Sequence, residues 1–473
     1  GPAGRRAFRL GPATIPASLL PPPDRRDRRR FVLRLTVGNN PSQGQSTTFA
    51  DGVDVGFGSP EPTANVYAQA LEVTQAIQDQ VVRATATRGI TSMNADYPTS
   101  VPLITGKPTA VRLLPNVENG LRAGSSQAAL GNVTGLLHAF RGNAELPDSP
   151  IEPVRLATVE PFTAPPDVKG LRDRFDVPGR ELAWRIPDSW ATGTLRLKAT
   201  VNDGGLRESR RFRECLGCSD GANSIVTTVR FTASVSTLKF DPFLVEYDPP
   251  GGAAPVRPAA TVAAELEYLK RTYPIDPDAV SVGSTVGIVR TGSRECSDLL
   301  NAVVFAALAS PRNGLPIGIL PSHPDMCRIS NSPFTADDDF AASGVGSSAG
   351  AVWKSFAESA MTAPHEVGHL LGRPHASCDH GEAADGAGGC DASFRPRHAQ
   401  LGGHGYGVAN MGTYPEQIDA ETHLHDVMSY GGLKWISTTT YTALLAELLR
   451  RQNGSGVVAS VPGGGPGARA VAA

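Results

Sequence analysis

The chain has 473 residues, in which 44 Lys and Arg are set against 46 Asp and Glu for a formal net charge of −2. That near balance removes the global electrostatic case for a nucleic-acid or membrane-surface partner, and even the longest apolar run, Leu299–Leu308, is too short and interrupted to form a transmembrane segment. The length exceeds what one ordinary hydrophobic core organises, so a multidomain chain with flanking tails is expected.

Residues 1–62 read as a Pro/Arg-rich segment, one strand and a linker. The opening Gly1-Pro2 carries neither Met nor a charged-then-apolar leader, so the chain is read as a processed or excised piece whose targeting segment is missing. The basic run Asp24-Arg-Arg-Asp-Arg-Arg-Arg30 could meet an acidic surface but is better explained as solvated linker. Phe31–Val37 alternates apolar and polar residues as a half-buried strand does, whereas Asn39–Pro62 is rich in Gly, Ser and Pro and reads as loop.

Residues 63–223 show short strands between turn signals, at Val66–Ile77, Thr109–Leu114 and Thr194–Val201, with Asn202-Asp-Gly-Gly205 suited to a tight turn. No amphipathic helical pattern of useful length competes there. An N-terminal all-β sandwich, immunoglobulin-like, is the expected fold. It would brace its neighbour or, as the lesser alternative, bind glycan or surface protein.

The pattern changes over residues 224–451. Strands are expected at Ile225–Ala233, Leu238–Tyr247, Val280–Arg290 and Leu315–Leu320. Helices are expected at Thr261–Thr272, after Pro258, at Glu295–Ala309, and at Ser347–Met361 through the spacing of Ala351, Trp353, Phe356 and Ala360. A last helix follows Ser437 as N-cap and buries Leu444, Leu445, Leu448 and Leu449. This mixture describes an α+β domain, followed by a Gly/Ala/Pro tail, residues 452–473, expected to be disordered.

Within that domain lies His365-Glu-Val-Gly-His-Leu-Leu-Gly-Arg-Pro-His375. On a helix, His365 and His369 project from one face, one turn apart, and can hold one metal ion. Glu366 faces the same cleft as a general base that is not itself a ligand. Gly372 lets the helix end in left-handed conformation, and His375 returns as the third ligand. Three neutral imidazoles leave a fourth position open, the signature of a catalytic zinc ion rather than a structural one. Pro364 requires the helix to begin close by, with Thr362 as the expected N-cap.

Together with Asp426-Val-Met-Ser-Tyr430, this motif resembles the metzincin clan of zinc endopeptidases. The resemblance runs from about Ser224 to Arg451 and is specific at the two motifs. It implies a metzincin-like catalytic domain, an apolar floor at Met428 beneath the imidazoles, and a tyrosine, Tyr430, that ligates zinc or stabilises the oxyanion. It also implies a protein or glycoprotein substrate and a secreted or cell-surface location. Ala376 stands where the adamalysin-like branch has Asp, which disfavours that branch, and Gly431 stands where related sequences often carry Cys.

Six cysteines fall into three local pairs, Cys215/Cys218, Cys296/Cys327 and Cys378/Cys390, and disulfides between them fit an extracellular compartment. Half a zinc ribbon at Cys215/Cys218 and free thiols are the alternatives. Asp337-Asp-Asp339 offers charge for Ca2+ but lacks the spaced oxygens of a known loop, so a solvated acidic turn is preferred. His380, His423 and His425 lie near the motifs and read as surface or supporting residues. The functional expectation is a zinc metalloendopeptidase; the alternatives are an extracellular adhesin with an idle metal site and a zinc hydrolase of a non-peptide amide.

Overall fold

The structure is a computed structural model. It describes residues 29–38, 46–55, 64–78, 80–85, 89–94, 101–119, 129–160, 168–175, 177, 179–201, 223–235, 237–249, 254–258, 262–309, 313–322, 326–330, 339–341, 344–355, 361–376, 390–391, 394, 401, 405–409, 411–414, 424–429, 433–453 and 471–472. The described chain is mostly β-sheet, with five α-helices: α1 (Val168–Phe175), α2 (Val262–Thr272), α3 (Cys296–Ala309), α4 (Thr362–Leu370) and α5 (Thr438–Asn453).

Two compact units divide the chain. The smaller, Gly1–Asn65 with Arg207–Phe212, contains an antiparallel hairpin of Arg29–Gly38 and Ser46–Val55, in register from Arg29 opposite Val55 to Gly38 opposite Ser46. The second strand falls where Gly, Ser and Pro predict a loop. Its central stretch Ser46–Val55 contains no Pro, and every residue of it finds a partner opposite.

The larger unit holds everything else described, including all of the strand Ala64–Thr74 from Val66 onward. One five-stranded sheet runs Ala144–Glu145, Gly135–Arg141, Thr194–Val201, Ser224–Thr232, Leu103–Ile104, and another runs Leu182–Arg185, Ala110–Asn119, Ala64–Thr74, Gln80–Thr85, Gly89–Asn94. Thr194–Val201 keeps its expected alternation, with Leu195, Leu197, Ala199 and Val201 all buried. Ser224–Thr232 pairs with that strand from Arg230 opposite Thr194 to Ser224 opposite Thr200. The expected boundary at 223/224 therefore cuts between two hydrogen-bonded strands. Helix α1 falls in a stretch read as purely β. At 8 residues it is too short for its periodicity to stand out.

A third sheet carries the motif region. Its order is Val280–Val282, Leu238–Tyr247, Leu315–Leu320, Gly350–Lys354, Gly344–Ser347, Val471–Ala472, and Gly287–Thr291 also pairs with Leu238–Tyr247. Leu238–Tyr247 is parallel to three of its neighbours and buried almost throughout, as a strand covered on both faces must be. Phe243, Val245 and Tyr247 pack with Leu299, Leu300 and Val303 of α3 in one core cluster. Leu238, Phe240, Ile317, Ile319 and Trp353 pack with residues of α2, α4 and α5 in another.

Three expectations are corrected here. The single strand Val280–Arg290 is two strands, because at Gly283 the chain leaves Leu238–Phe240 and rejoins the sheet opposite Phe243–Tyr247. Gly350–Lys354 is a strand rather than the start of a helix: all five residues are buried, Ala351–Lys354 pairs with Ile317–Leu320 on one side, and Gly350–Trp353 pairs with Gly344–Ser347 on the other. Periodicity alone does not separate a buried helix from a strand covered on both faces. Finally, the tail after Gln452 extends α5 by one residue to Asn453 and supplies the two-residue strand Val471–Ala472.

Cys296 and Cys327 form a disulfide, and Cys390 is also disulfide-bonded. Cys215, Cys218 and Cys378 lie outside the described residues, as do Asn202–Gly205, Asp337, Asp338, His380 and His423. Among the described residues no helix is long and apolar enough to cross a membrane.

Candidate metal centre

Helix α4 is buried from Ala363 to Leu370. It starts one residue earlier than the expected cap allows: Met361 occupies the N-cap position without a side-chain cap bond, and Thr362 is already helical. Pro364 therefore sits in the first turn, where its missing N–H leaves nothing unpaired. At the other end Gly372 has φ +78°. Its N–H donates to the His369 carbonyl at 2.8 Å, and the Arg373 N–H donates to the Gly368 carbonyl at 2.9 Å. This is the paired closure of a Schellman motif, and it turns the chain so that His375 comes back under the helix.

The three imidazoles converge. His369 Nε2 lies 3.1 Å from His365 Nε2 and 3.2 Å from His375 Nε2. His365 Nδ1 lies 2.7 Å from the Val427 carbonyl, and His369 Nδ1 lies 2.7 Å from the Arg373 carbonyl. Because a carbonyl only accepts, both Nδ1 atoms carry the proton and both Nε2 atoms present lone pairs. Lone pairs facing one another at that distance repel unless a cation lies among them. All three residues are buried, and burial, helped by the Lys434 ammonium, holds His365 well below the usual histidine range and His375 at about 4. His365 and His375 are therefore neutral at neutral pH, the form in which an imidazole can bind a metal. His365, His369 and His375 together could hold a metal ion, and they are the only group of its kind among the described residues.

Glu366 is completely buried, and neither of its carboxylate oxygens has a hydrogen-bond partner. Burial raises its pKa well above the ordinary carboxylate value, against the opposing pull of Lys434. A buried carboxylate without a donor is costly, and this one stands next to His365 in the chain, on the helix that carries two of the three converging imidazoles. The backbone of Gly344–Ser347 closes over it. A Cβ at Gly344 would fall 2.9 Å from Glu366 Cγ and Oε1, and one at Gly346 would fall 2.9 Å from His369 Cβ and 3.1 Å from Glu366 Oε2.

The Met428 segment packs against the same helix. A Cβ on Gly368 would collide with the Met428 sulfur, and the Met428 carbonyl accepts from the Ala376 N–H at 2.8 Å, tying this turn to the residue after His375. Asp426 fixes the turn: its carboxylate accepts from the Met428 N–H at 2.7 Å and the Ser437 N–H at 2.9 Å. Ser437 caps α5 as expected, its Oγ accepting from the Thr440 N–H at 3.0 Å. Tyr430 lies outside the described residues, and His425 takes no place among the ligands, lying instead in a short bridge with Lys434.

Several supporting residues escape sequence reasoning. Tyr273 at the end of α2 donates its hydroxyl to the Pro364 carbonyl. Arg451 of α5 donates to the Leu370 carbonyl at 2.8 Å, completing the C-terminal end of α4. Trp435 Nε1 donates to the Ala76 carbonyl at 3.0 Å, and Tyr441 donates to Gln75 Oε1 at 3.4 Å. None has a local signal, since each acts across a long sequence separation. Only Asp426, two residues before Met428, could have been singled out as a turn-forming side chain.

No protein-family model matches this chain, and no curated protein matches it in sequence.

Proposed function

We propose that the chain is a secreted zinc-dependent endopeptidase of the metzincin type, acting on a protein or glycoprotein. One observation carries the reading: the Nε2 atoms of three imidazoles converge beside a buried carboxylate whose oxygens have no hydrogen-bond partner. The donor set, three neutral imidazoles with no thiolate, suits zinc with an open position. When bound there, zinc would supply Lewis acidity and bring the acidity of water toward neutral pH.

The chain's own residues do the rest. Glu366 accepts the proton of the attacking water on its unpartnered carboxylate and returns it to the leaving amine, and its raised pKa suits a base that works near neutral pH. The Val427 and Arg373 carbonyls hold His365 and His369 in the tautomer and orientation that ligation needs. Tyr430 is assigned the oxyanion, on the strength of its place two residues after Met428. A non-peptide amide or an idle site would not produce new termini in a protein library. The test is to incubate the chain with a denatured protein library and map the termini that form, with and without a chelator. Chelator-sensitive new termini support the reading, and their absence in both arms overturns it.

A further inference from the structure

The strand Gly344–Ser347 has two edges. One pairs antiparallel with Gly350–Lys354, from Gly344 opposite Trp353 to Ser347 opposite Gly350. The other would be the outer edge of the sheet, but Val471–Ala472 takes it, antiparallel, with Val345 opposite Ala472 and Gly346 opposite Val471. Gly346 is the residue whose Cβ would press on His369 Cβ and Glu366 Oε2. A segment distant in sequence therefore lies in extended pairing at the level of the candidate base and the second ligand.

We infer that the strand Val471–Ala472 is an internal competitor: it occupies the strand edge beside Glu366 that an extended substrate backbone would otherwise take, and it lowers the chain's apparent affinity for peptides. The inference rests on the proteolytic reading of the same site. The physical reason is exclusion. A strand edge offers one row of N–H and C=O groups, which an extended chain satisfies by adding as a further strand, and two chains cannot add to the same row. Neither Val471 nor Ala472 is Pro, so each keeps a backbone N–H that a strand ladder can use. Because the competitor belongs to the same chain, its effective concentration is on the order of mM, which makes even a short pairing effective.

The test uses the full chain and the double variant Val471→Pro/Ala472→Pro, which removes an N–H from the ladder whichever of the two residues donates. Two readouts are taken. With denatured casein peptides as substrate, the variant is expected to lower KM by about tenfold with kcat unchanged. A fluorescein-labelled peptide of residues 466–473 is expected to bind the variant more tightly than the unmodified chain in an anisotropy titration, and to inhibit the variant competitively. Equal KM values together with no preferential peptide binding overturn the inference. If neither protein cleaves casein while the peptide binds the variant preferentially, the proteolytic reading fails and occupation of the edge stands. If both cleave casein equally and the peptide binds neither, the inference fails and the proteolytic reading is untouched.

Discussion

Gly368 and Met428 touch so closely that the α-carbon of one has no room for a methyl group beside the sulfur of the other. The contact joins the helix bearing two imidazoles to the turn whose carbonyl holds the strand after the third. Gly368→Ala is expected to destabilise the chain by about 1–3 kcal/mol through overpacking and to weaken metal binding, read by denaturant unfolding and by competition with a chelating dye. An alanine variant with unchanged stability and affinity would show that the turn does not set the ligand geometry.

Asp426 organises that turn from below, accepting two buried backbone N–H groups. Asp426→Ala leaves both without an acceptor, at about 1–3 kcal/mol for each unsatisfied group. Asp426→Asn keeps one acceptor oxygen and should lose less. Chemical denaturation of the two variants checks the order, and an alanine variant as stable as the asparagine one would contradict it.

The pH dependence of the metal-free chain carries two opposed contributions. Burial depresses His365 and His375 in the folded state. Their contribution is fully present above the unfolded value of about 6.5 and is lost as pH falls toward His375's folded value of about 4. Burial raises Glu366, so its contribution is present below the unfolded value of about 4.5 and is lost as pH rises through the folded value. Two differences between melting curves separate them. Glu366→Gln should melt higher than the metal-free parent at pH 7 and match it at pH 4, while losing cleavage by several orders of magnitude. His375→Asn should flatten the acid limb. A Glu366→Gln variant that melts lower at pH 7 would show the carboxylate to be partnered after all.

The two halves of the larger unit share one core. Ala76, Ile77, Val101 and Ile104 belong to the same cluster as Trp353, Val367, Trp435 and Tyr441, and Ala76 accepts hydrogen bonds from both Trp435 and Tyr406. A fragment beginning at Ser224 would expose those apolar surfaces and strip Ser224–Thr232 of its partner strand. It is expected to show no cooperative unfolding transition by circular dichroism, whereas the full chain does. A fragment that melts cooperatively would make the N-terminal sheets a dispensable module.

These relationships mark where sequence reading succeeds. The geometry of the motif was legible because it is local: an i, i+4 histidine pair and a helix-ending glycine specify their own arrangement, and Gly372 has the left-handed φ that its position demands. Alternation identified Thr194–Val201, and the cap at Ser437 identified the start of α5, for the same reason. The errors fall where tertiary contacts decide. Gly350–Lys354 is a strand because strands on both sides pair with it, which its apolar spacing could not disclose. The boundary near Asn223 misassigned Ser224–Thr232 because nothing local tells a strand which sheet it will join. Tyr273, Asp426 and Arg451 support the centre through hydrogen bonds to backbone groups brought near by the fold.

Metal content tests the central claim most directly. Elemental analysis of the chain purified without chelators should find one zinc per molecule, lost on dialysis against a strong chelator and absent from the His365→Ala, His369→Ala and His375→Ala variants. No stoichiometric metal in the parent, or the same zinc content in all three variants, would contradict a centre built on these imidazoles.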